Sequence, residues 1–397
     1  MKRSNYLLLF AQWISNFGNH LHQIALPLLV YQKTGSAGDF ALSLFAETVP
    51  WVFIAPVLST FLKKFSSKNV LLFSDIFRAV LTLAIAFYDW NKWEILIIVF
   101  ALGSFSSIYG AFRIQTVKQL ISNGSLNKYL SLSNGGNEFI ALVAPLLGTI
   151  LVSFGVSANY FMAIDSFTFV VSTGLLLFIP LTRSTISAKK RSKTSNPLKL
   201  LKKVEVSEIV KVIAVSEGLR SVAEGLFIPS LLTLLIKVNG FNQGQYTWIR
   251  TGMAIAGMLS AYIFLKYVSR WTYFRTHTVS TLLIAMGVIL LPFISQFNSV
   301  IAVTAIVGLG MSLKQLLSDN IVITGSKEEV QAETVTIVNS LIALSYCVGY
   351  IISAKLDDEG SVLYLFASAG IILLSSLFLG KKLSVNYTDF VKEAEAQ

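Results

Sequence analysis

The sequence predicts an all-α integral membrane protein, twelve transmembrane helices in two pseudo-symmetric six-helix halves, on three observations. Hydrophobic residues make up 54% of the 397 residues and charged residues only 13%, a balance too poor in charge for a soluble domain. Apolar runs of about 20 residues, the length a helix needs to cross a bilayer, recur from end to end. Lysine and arginine gather in alternate segments between those runs, as they do in cytoplasmic loops.

Taken in order, the runs predict spans over 7–31, 41–62, 70–88, 94–113, 138–155, 159–181, 208–236, 246–267, 276–296, 299–319, 334–354 and 361–380. The opening is basic like a signal peptide, but its apolar segment is too long and lacks a small-residue cleavage site, so an uncleaved first span is expected. With the N-terminus inside, 25 of the 32 Lys and Arg fall on inner segments. Four (Lys33, Lys92, Lys237, Lys355) fall on outer ones and three (Arg78, Arg220, Arg250) within spans. Both termini are therefore expected in the cytoplasm, with the chain in the plasma or inner membrane. Trp90, Trp93 and Trp248 at outer boundaries and Trp271 at an inner one fit an interfacial belt.

One insert is long, basic and Ser-rich, "RSTISAKKRSKTSNPLKLLKKVE" at 183–205. It divides the chain into an N-terminal bundle (1–181), a basic cytoplasmic linker (182–206), a C-terminal bundle (207–380) and a cytoplasmic tail (381–397). The run "APVLSTFLKKFSSK" after span two has a counterpart in "GMLSAYIFLKYVSR" after span eight, as parallel repeats would. The insert is expected to be a topology-fixing linker, with binding of anionic lipid headgroups as the alternative.

Composition also excludes function classes. The net charge of +11 decorates one membrane face, and no aromatic-basic module accompanies it, so no nucleic-acid partner is expected. A single cysteine, Cys347, rules out an internal disulfide framework and a Cys-rich metal site. His20 and His22 have no third histidine nearby in sequence, and no metal is expected. A nucleotide-binding Gly-rich loop, an H-E-x-x-H and a Ser-His-Asp set placed by motif are all missing, so neither an enzyme, nor ATP-driven transport, nor a cofactor is expected.

The seventh span, "VIAVSEGLRSVAEGLFIPSLLTLLI" (212–236), carries Glu217, Arg220 and Glu224. A charge at membrane depth costs at least about 2.5 kcal/mol, so such residues face a cavity or a partner. Their i, i+3, i+7 spacing puts all three on one helix face. The arginine favours the ionised carboxylate and burial the protonated one; two readings follow, a proton-loading site and a static ion-pair network. Pro229 cannot donate to the carbonyl of Gly225, which permits bending one turn further on.

The chain resembles the major facilitator superfamily, in its drug:proton antiporter branch that includes macrolide-efflux proteins. The resemblance rests on "ISNFGNHLHQIALPLLVYQKTGS" in span one, "SDIFRA" in span three, "APLLG" in span five and "IDSFTFVVS" in span six. The superfamily pattern G-x-x-x-D-R-x-G-R-[RK] between spans two and three is replaced by "STFLKKFSSK", with Ser59 for the first Gly, Lys63 for the Asp and Lys64 for the Arg. Asp75 and Arg78, at i and i+3, are candidates to rebuild that latch. The antiporter pattern G-x-x-x-G-P-x-x-G survives only as Ala144, Pro145 and Gly148.

The resemblance implies that spans one, four, seven and ten line a central cavity. In span one, Gln12, Asn16, Asn19, His20 and Gln23 form one polar stripe, read either as cavity lining or as bonding to a neighbouring helix. Span ten offers Ser312, Gln315 and Asp319, and span four Ser106, Gly110 and Arg113. Arg113, Lys314 and Asp319 lie at inner ends, where long side chains snorkel. Glu47 and Asp165 lie about 10 Å from the outer face, deep enough to want a reason, and Glu47 is a second proton-site candidate or a structural partner. The acid that the family commonly places just after the span-one Gly is Asn19 here, which moves any proton carrier to span seven or Glu47.

The expected function is secondary active transport by a monomer: proton-gradient-driven efflux of a small amphiphilic compound or drug, macrolide-like or cationic, by alternating access, with membrane lipids as the other partner. Glu217 or Glu224 would carry the proton, with Arg220 between them. A lysophospholipid or lipid transporter, an importer of the same fold and a non-transporting membrane binding protein are the alternatives.

Overall fold

The computed structural model describes residues 3–61, 65–121, 123–179, 208–263, 266, 273–324, 331–355 and 360–376, and every regular element among them is helical. The latch candidates Lys63 and Lys64, the linker 182–206 and the tail 381–397 lie outside the described residues. In chain order the helices are α1 (Arg3–Thr34), α2 (Ala37–Phe61), α3 (Ser67–Phe87), α4 (Lys92–Leu120), α5 (Asn123–Ser153) and α6 (Ala158–Leu177). They continue with α7 (Glu208–Thr233), which runs on as a π-helical turn (Leu234–Val238), α8 (Gln243–Ile263), α9 (Tyr273–Leu290), α10 (Phe297–Thr324), α11 (Gln331–Ser353) and α12 (Ser361–Ser376).

Local chemistry starts and stops these helices. Ser66 caps α3 by accepting from the Asn69 amide at 3.2 Å, and Asn91 with Glu94 closes a reciprocal capping box on α4. Lys68 donates to the carbonyls of Leu177 and Ile179 at 2.8 and 2.7 Å, placing a cation on the last turn of α6. Gly35 and Gly240, at φ of +64° and +68°, turn the chain after α1 and after the extension of α7, a backbone region that side chains with a Cβ rarely adopt. The helix α5 begins at Asn123, well before its apolar span. Apolar length measures membrane thickness, and the polar stretch from 123 is free to stay helical.

Eight helical stretches among the described residues are long and apolar enough to cross a membrane. The helix α1 is not one of them, because its polar stripe dilutes its hydropathy. Large apolar side chains stand exposed around the bundle, Phe53, Phe87, Ile97, Phe154, Phe178 and Leu374 among them. Water would not tolerate so much exposed apolar surface, whereas lipid tails cover it at no cost.

The chain divides into two compact units, Met1–Lys193 and Thr194–Gln397. In the first, α2 packs on α4, α4 on α3, and α1 on both α5 and α6; its core joins Leu8 and Leu9 to Leu71, Phe112, Tyr129 and Leu176. In the second, α8 packs on α10, α10 on α9, and α7 on α11, around Val210, Ile213, Leu317 and Ile321. The pairings α2–α4, α3–α4 and α1–α5 therefore recur six helices later.

Candidate functional site

The site is built in the second unit, from α7, α10 and α11. The sequence repeats Glu-Gly two turns apart, at 217–218 and 224–225, and each half of the dipeptide has a separate task. The glycines admit α11. A Cβ on Gly225 would lie 2.9 Å from the Gly349 Cα, and one on Gly218 3.0 Å from the Ser345 Oγ. The glutamates are thereby held at the edge of this close crossing, beside Arg220 on the same helix.

Arg220 spends its donors on three acceptors. Its Nε donates to Glu217 Oε2 at 2.6 Å, Nη1 to Glu224 Oε1 and Nη2 to Gln315 Oε1 of α10. The remaining carboxylate oxygens are met from other helices: Ser318 of α10 donates to Glu217 Oε1 at 2.6 Å, and the Tyr346 hydroxyl of α11 donates to Glu224 Oε2. Glu217, Arg220 and Glu224 are 1%, 3% and 7% exposed. One guanidinium and two carboxylates so saturated are favourable in a low dielectric, and the loss of any one partner strands the others.

The Pro229 lesion is repaired from outside the helix. The Gly225 carbonyl that Pro229 cannot serve accepts from the Ser353 hydroxyl of α11 at 3.0 Å. The same two helices thus meet through a glycine contact, a backbone repair and the Tyr346–Glu224 bond.

A cavity of about 300 Å³ opens beside the cluster. Arg220, Glu224, Gln315 and Tyr346 form its polar wall, Phe227, Ile228, Met253 and Met311 its apolar wall, with Ser312 and Arg250 completing the rim. Apolar walls with a few converging polar groups are the usual character of small-molecule sites, and thioether side chains adapt to varied shapes. Glu217 does not line this cavity; it stands behind Arg220. Asp319 is exposed; Gln315 Nε2 donates to it at 2.9 Å, and it lies within electrostatic reach of Glu217 and Arg220.

Two residues correct or extend the sequence reading. Lys314 does not snorkel: it is fully buried, donates to Ser375 of α12 at 3.0 Å and lies within electrostatic reach of Glu217, Arg220 and Glu224. Tyr346 was missed, since a tyrosine in an apolar run carries no signal of its own. Its position three residues before Gly349 becomes informative only once the α7–α11 crossing is known.

In the first unit the span-one stripe splits. Gln12 donates to Ser133 Oγ at 2.8 Å and Asn137 Oδ1 at 3.2 Å, and Asn16 to Asn137 Oδ1 at 2.8 Å, so this part bonds α1 to α5. Asn19 and His20 are half-buried and Gln23 is exposed. Asp75 and Arg78 form a sealed pair. Arg78 donates to Asp75 Oδ1, Ser172 of α6 donates to Asp75 Oδ2 at 2.8 Å, and the guanidinium sits 4.3 and 4.2 Å from the rings of Tyr109 and Phe169. Glu47 reaches His22 at 3.8 Å.

A bundle of long apolar helices with a saturated charge cluster beside an apolar-walled cavity defines a class, the membrane transporters. The chain belongs to the Major Facilitator Superfamily, whose family model matches residues 8–354. It is 26% identical to the MFS-type transporter YfiS of Bacillus subtilis, over 44% of this chain and 41% of that protein. It is 21% identical to the multidrug efflux pump Tap of Mycobacterium tuberculosis, over 91% of this chain and 90% of Tap. Among solved structures, a bacterial homolog of the human lysosomal transporter Spinster matches with a TM-score of 0.74 at 10% identity, over 96% of this chain and 97% of that one. At that identity the likeness is one of fold.

Proposed function

We propose that this transporter is a proton-driven exporter of a small amphiphilic compound, working by alternating access in the cell membrane. In this reading twelve spans form two six-helix halves and both termini are cytoplasmic. Export as the direction draws on the relatives named multidrug efflux pumps. The observation that carries the coupling is that Glu224 belongs at once to the cavity wall and to the fastening between α7 and α11.

A proton on Glu224 removes the charge that holds Arg220 Nη1 and turns an acceptor of the Tyr346 hydroxyl into a competing donor. Arg220 then keeps Glu217 and Gln315, and of the polar ties between α11 and α7 the Tyr346–Glu224 bond is weakened while Ser353 still holds the Gly225 carbonyl. Substrate resting on Phe227, Met253 and Met311 senses that change directly, so loading of the proton and occupancy of the cavity are linked through shared atoms. Glu217, behind Arg220, keeps the guanidinium oriented.

The test uses purified protein in liposomes with an imposed pH gradient and a panel of amphiphilic antibiotics. Glu224→Gln should abolish gradient-dependent transport while inserting normally. Glu217→Gln should slow transport but keep its dependence on the gradient. Undiminished coupled transport by Glu224→Gln would remove this residue from the mechanism.

A further inference from the structure

The three clusters of buried charge differ in their balance. Around Arg220 two carboxylates pair directly with one guanidinium, and both Lys314 and Asp319 lie within electrostatic reach. Asp75 and Arg78 match one to one. The third cluster, in the first unit, does not balance. His22 of α1 has Nδ1 3.3 Å from Asp165 Oδ2 of α6 and Nε2 3.8 Å from Glu47 Oε1 of α2. Even a charged imidazole leaves two carboxylates to one cation, and no Lys or Arg among the described residues forms an ion pair with either acid.

A second observation points to a missing ligand. Asp165 Oδ1 is buried with no hydrogen-bond partner. An anionic oxygen without a donor, in a cluster with surplus negative charge, is among the costliest arrangements in a protein interior, and a proton removes the surplus charge and so lowers the cost of leaving that oxygen unpaired. Packing fixes the arrangement: a Cβ on Gly18 would overlap Asp165 Oδ1 and Thr168 Oγ1, and one on Gly103 of α4 would lie 2.9 Å from the Glu47 carbonyl carbon. Access is graded as well. The side chains of Glu47, His22 and Asp165 are 34%, 9% and 1% exposed, a series from an open acid through an imidazole to a sealed one. A neutral imidazole accepts at one nitrogen while donating from the other, so it can pass a proton along that series.

We propose that Glu47, His22 and Asp165 form a second proton-binding site, contained in the first unit, which takes up one proton in addition to that at Glu224. Its use in transport rests on the proton coupling proposed above; the site itself rests on its own geometry. The titratable and charged groups that meet it are Glu47 from α2 and Asp165 from α6, with Asp75 and Arg78 of α3 beyond Asp165 and His20 two residues away on α1. Among the described residues, α4 and α5 bring no charged group within ion-pair distance of the three, and no His, Cys, Asp and Glu group is arranged to hold a metal ion. The proton is shared by the three residues and titrates with the cluster.

The experiment is pH-difference infrared spectroscopy of the full chain in lipid nanodiscs, read in the band of protonated carboxyl groups and needing no substrate. Wild type should show a buried carboxyl that titrates. Asp165→Asn and Glu47→Gln should each reduce that signal by about one carboxyl equivalent, because the cluster titrates as a unit, and His22→Gln should move its midpoint. Glu224→Gln should remove the carboxyl of Glu224 and leave that of the cluster in place. Glu47→Gln alters the most exposed of the three and so guards against misfolding of the Asp165 variant. A wild-type spectrum with no titrating carboxyl, or one unchanged in all three variants, overturns the site. If the signal behaves as expected while Glu224→Gln still transports normally, only the proposed role of Glu224 falls.

Discussion

Arg220 is a single residue on which two acids and an amide depend. Replacing it by Gln leaves Glu217 and Glu224 buried with no cation in direct contact, a loss of about 3–5 kcal/mol for a broken buried pair. The thermal midpoint of the purified protein should fall accordingly. Arg220→Lys should fall between wild type and Arg220→Gln, since an ammonium keeps the charge but cannot span three acceptors with a planar fork. If Arg220→Gln melts with wild type, the acids hold protons at rest and the ion-pair description is wrong. At this scale much was legible in the sequence: the i, i+3, i+7 spacing put the three charges on one face, as found. What it could not supply was the partners, because Ser318 and Tyr346 lie about 100 residues or more away along the chain. Nor could it separate Glu217 from Glu224, which share a helix face and differ only in what α10 and α11 bring to each.

Between α7 and α11 the helices themselves set the geometry. Ser353→Ala should cost about 0.6 kcal/mol and at most about 1.7, the range of single hydrogen bonds between membrane helices. Its transport should be close to wild type. Gly225→Ala is a different kind of change, since the new Cβ meets the backbone of Gly349 at 2.9 Å and the Tyr346 carbonyl at 3.0 Å. The helices must part, at about 1–3 kcal/mol for overpacking, and Tyr346 withdraws from Glu224. Stability and proton-driven transport should therefore fall together in Gly225→Ala and separate in Ser353→Ala, measured by thermal melting and liposome uptake on the same preparations. The span-one stripe teaches the limits of periodicity. Its spacing correctly found a polar face on α1, but Gln12 and Asn16 turn out to bond to α5. A polar face looks the same in sequence whether water or another helix covers it.

Over the whole molecule, the charge distribution and the long apolar runs carried the reading. Every expected span contains a described helix, and two of the four lysines expected on the outer face are tied to acids: Lys33 to Asp89 at 2.9 Å and Lys92 to Asp39. The orientation itself is a prediction. Cys347 is buried, so Cys347→Ala gives a thiol-free background. On it, Asp89→Cys should react with a membrane-impermeant maleimide from outside intact cells, and Lys193→Cys only after the membrane is opened. The reverse pattern would invert the topology.

Lys314 carries one consequence for how the chain is made. Its hydroxyl partner, Ser375, lies 61 residues later, on α12. As the nascent chain leaves the ribosome, α10 must enter the translocon with an ammonium that is costly to bury, and nothing on α12 yet exists to receive it. Glu217 and Glu224, already made, are the countercharges within its reach. The carboxylates of α7 are therefore available to offset that charge as α10 enters the membrane, a constraint on the cluster separate from the proposed transport.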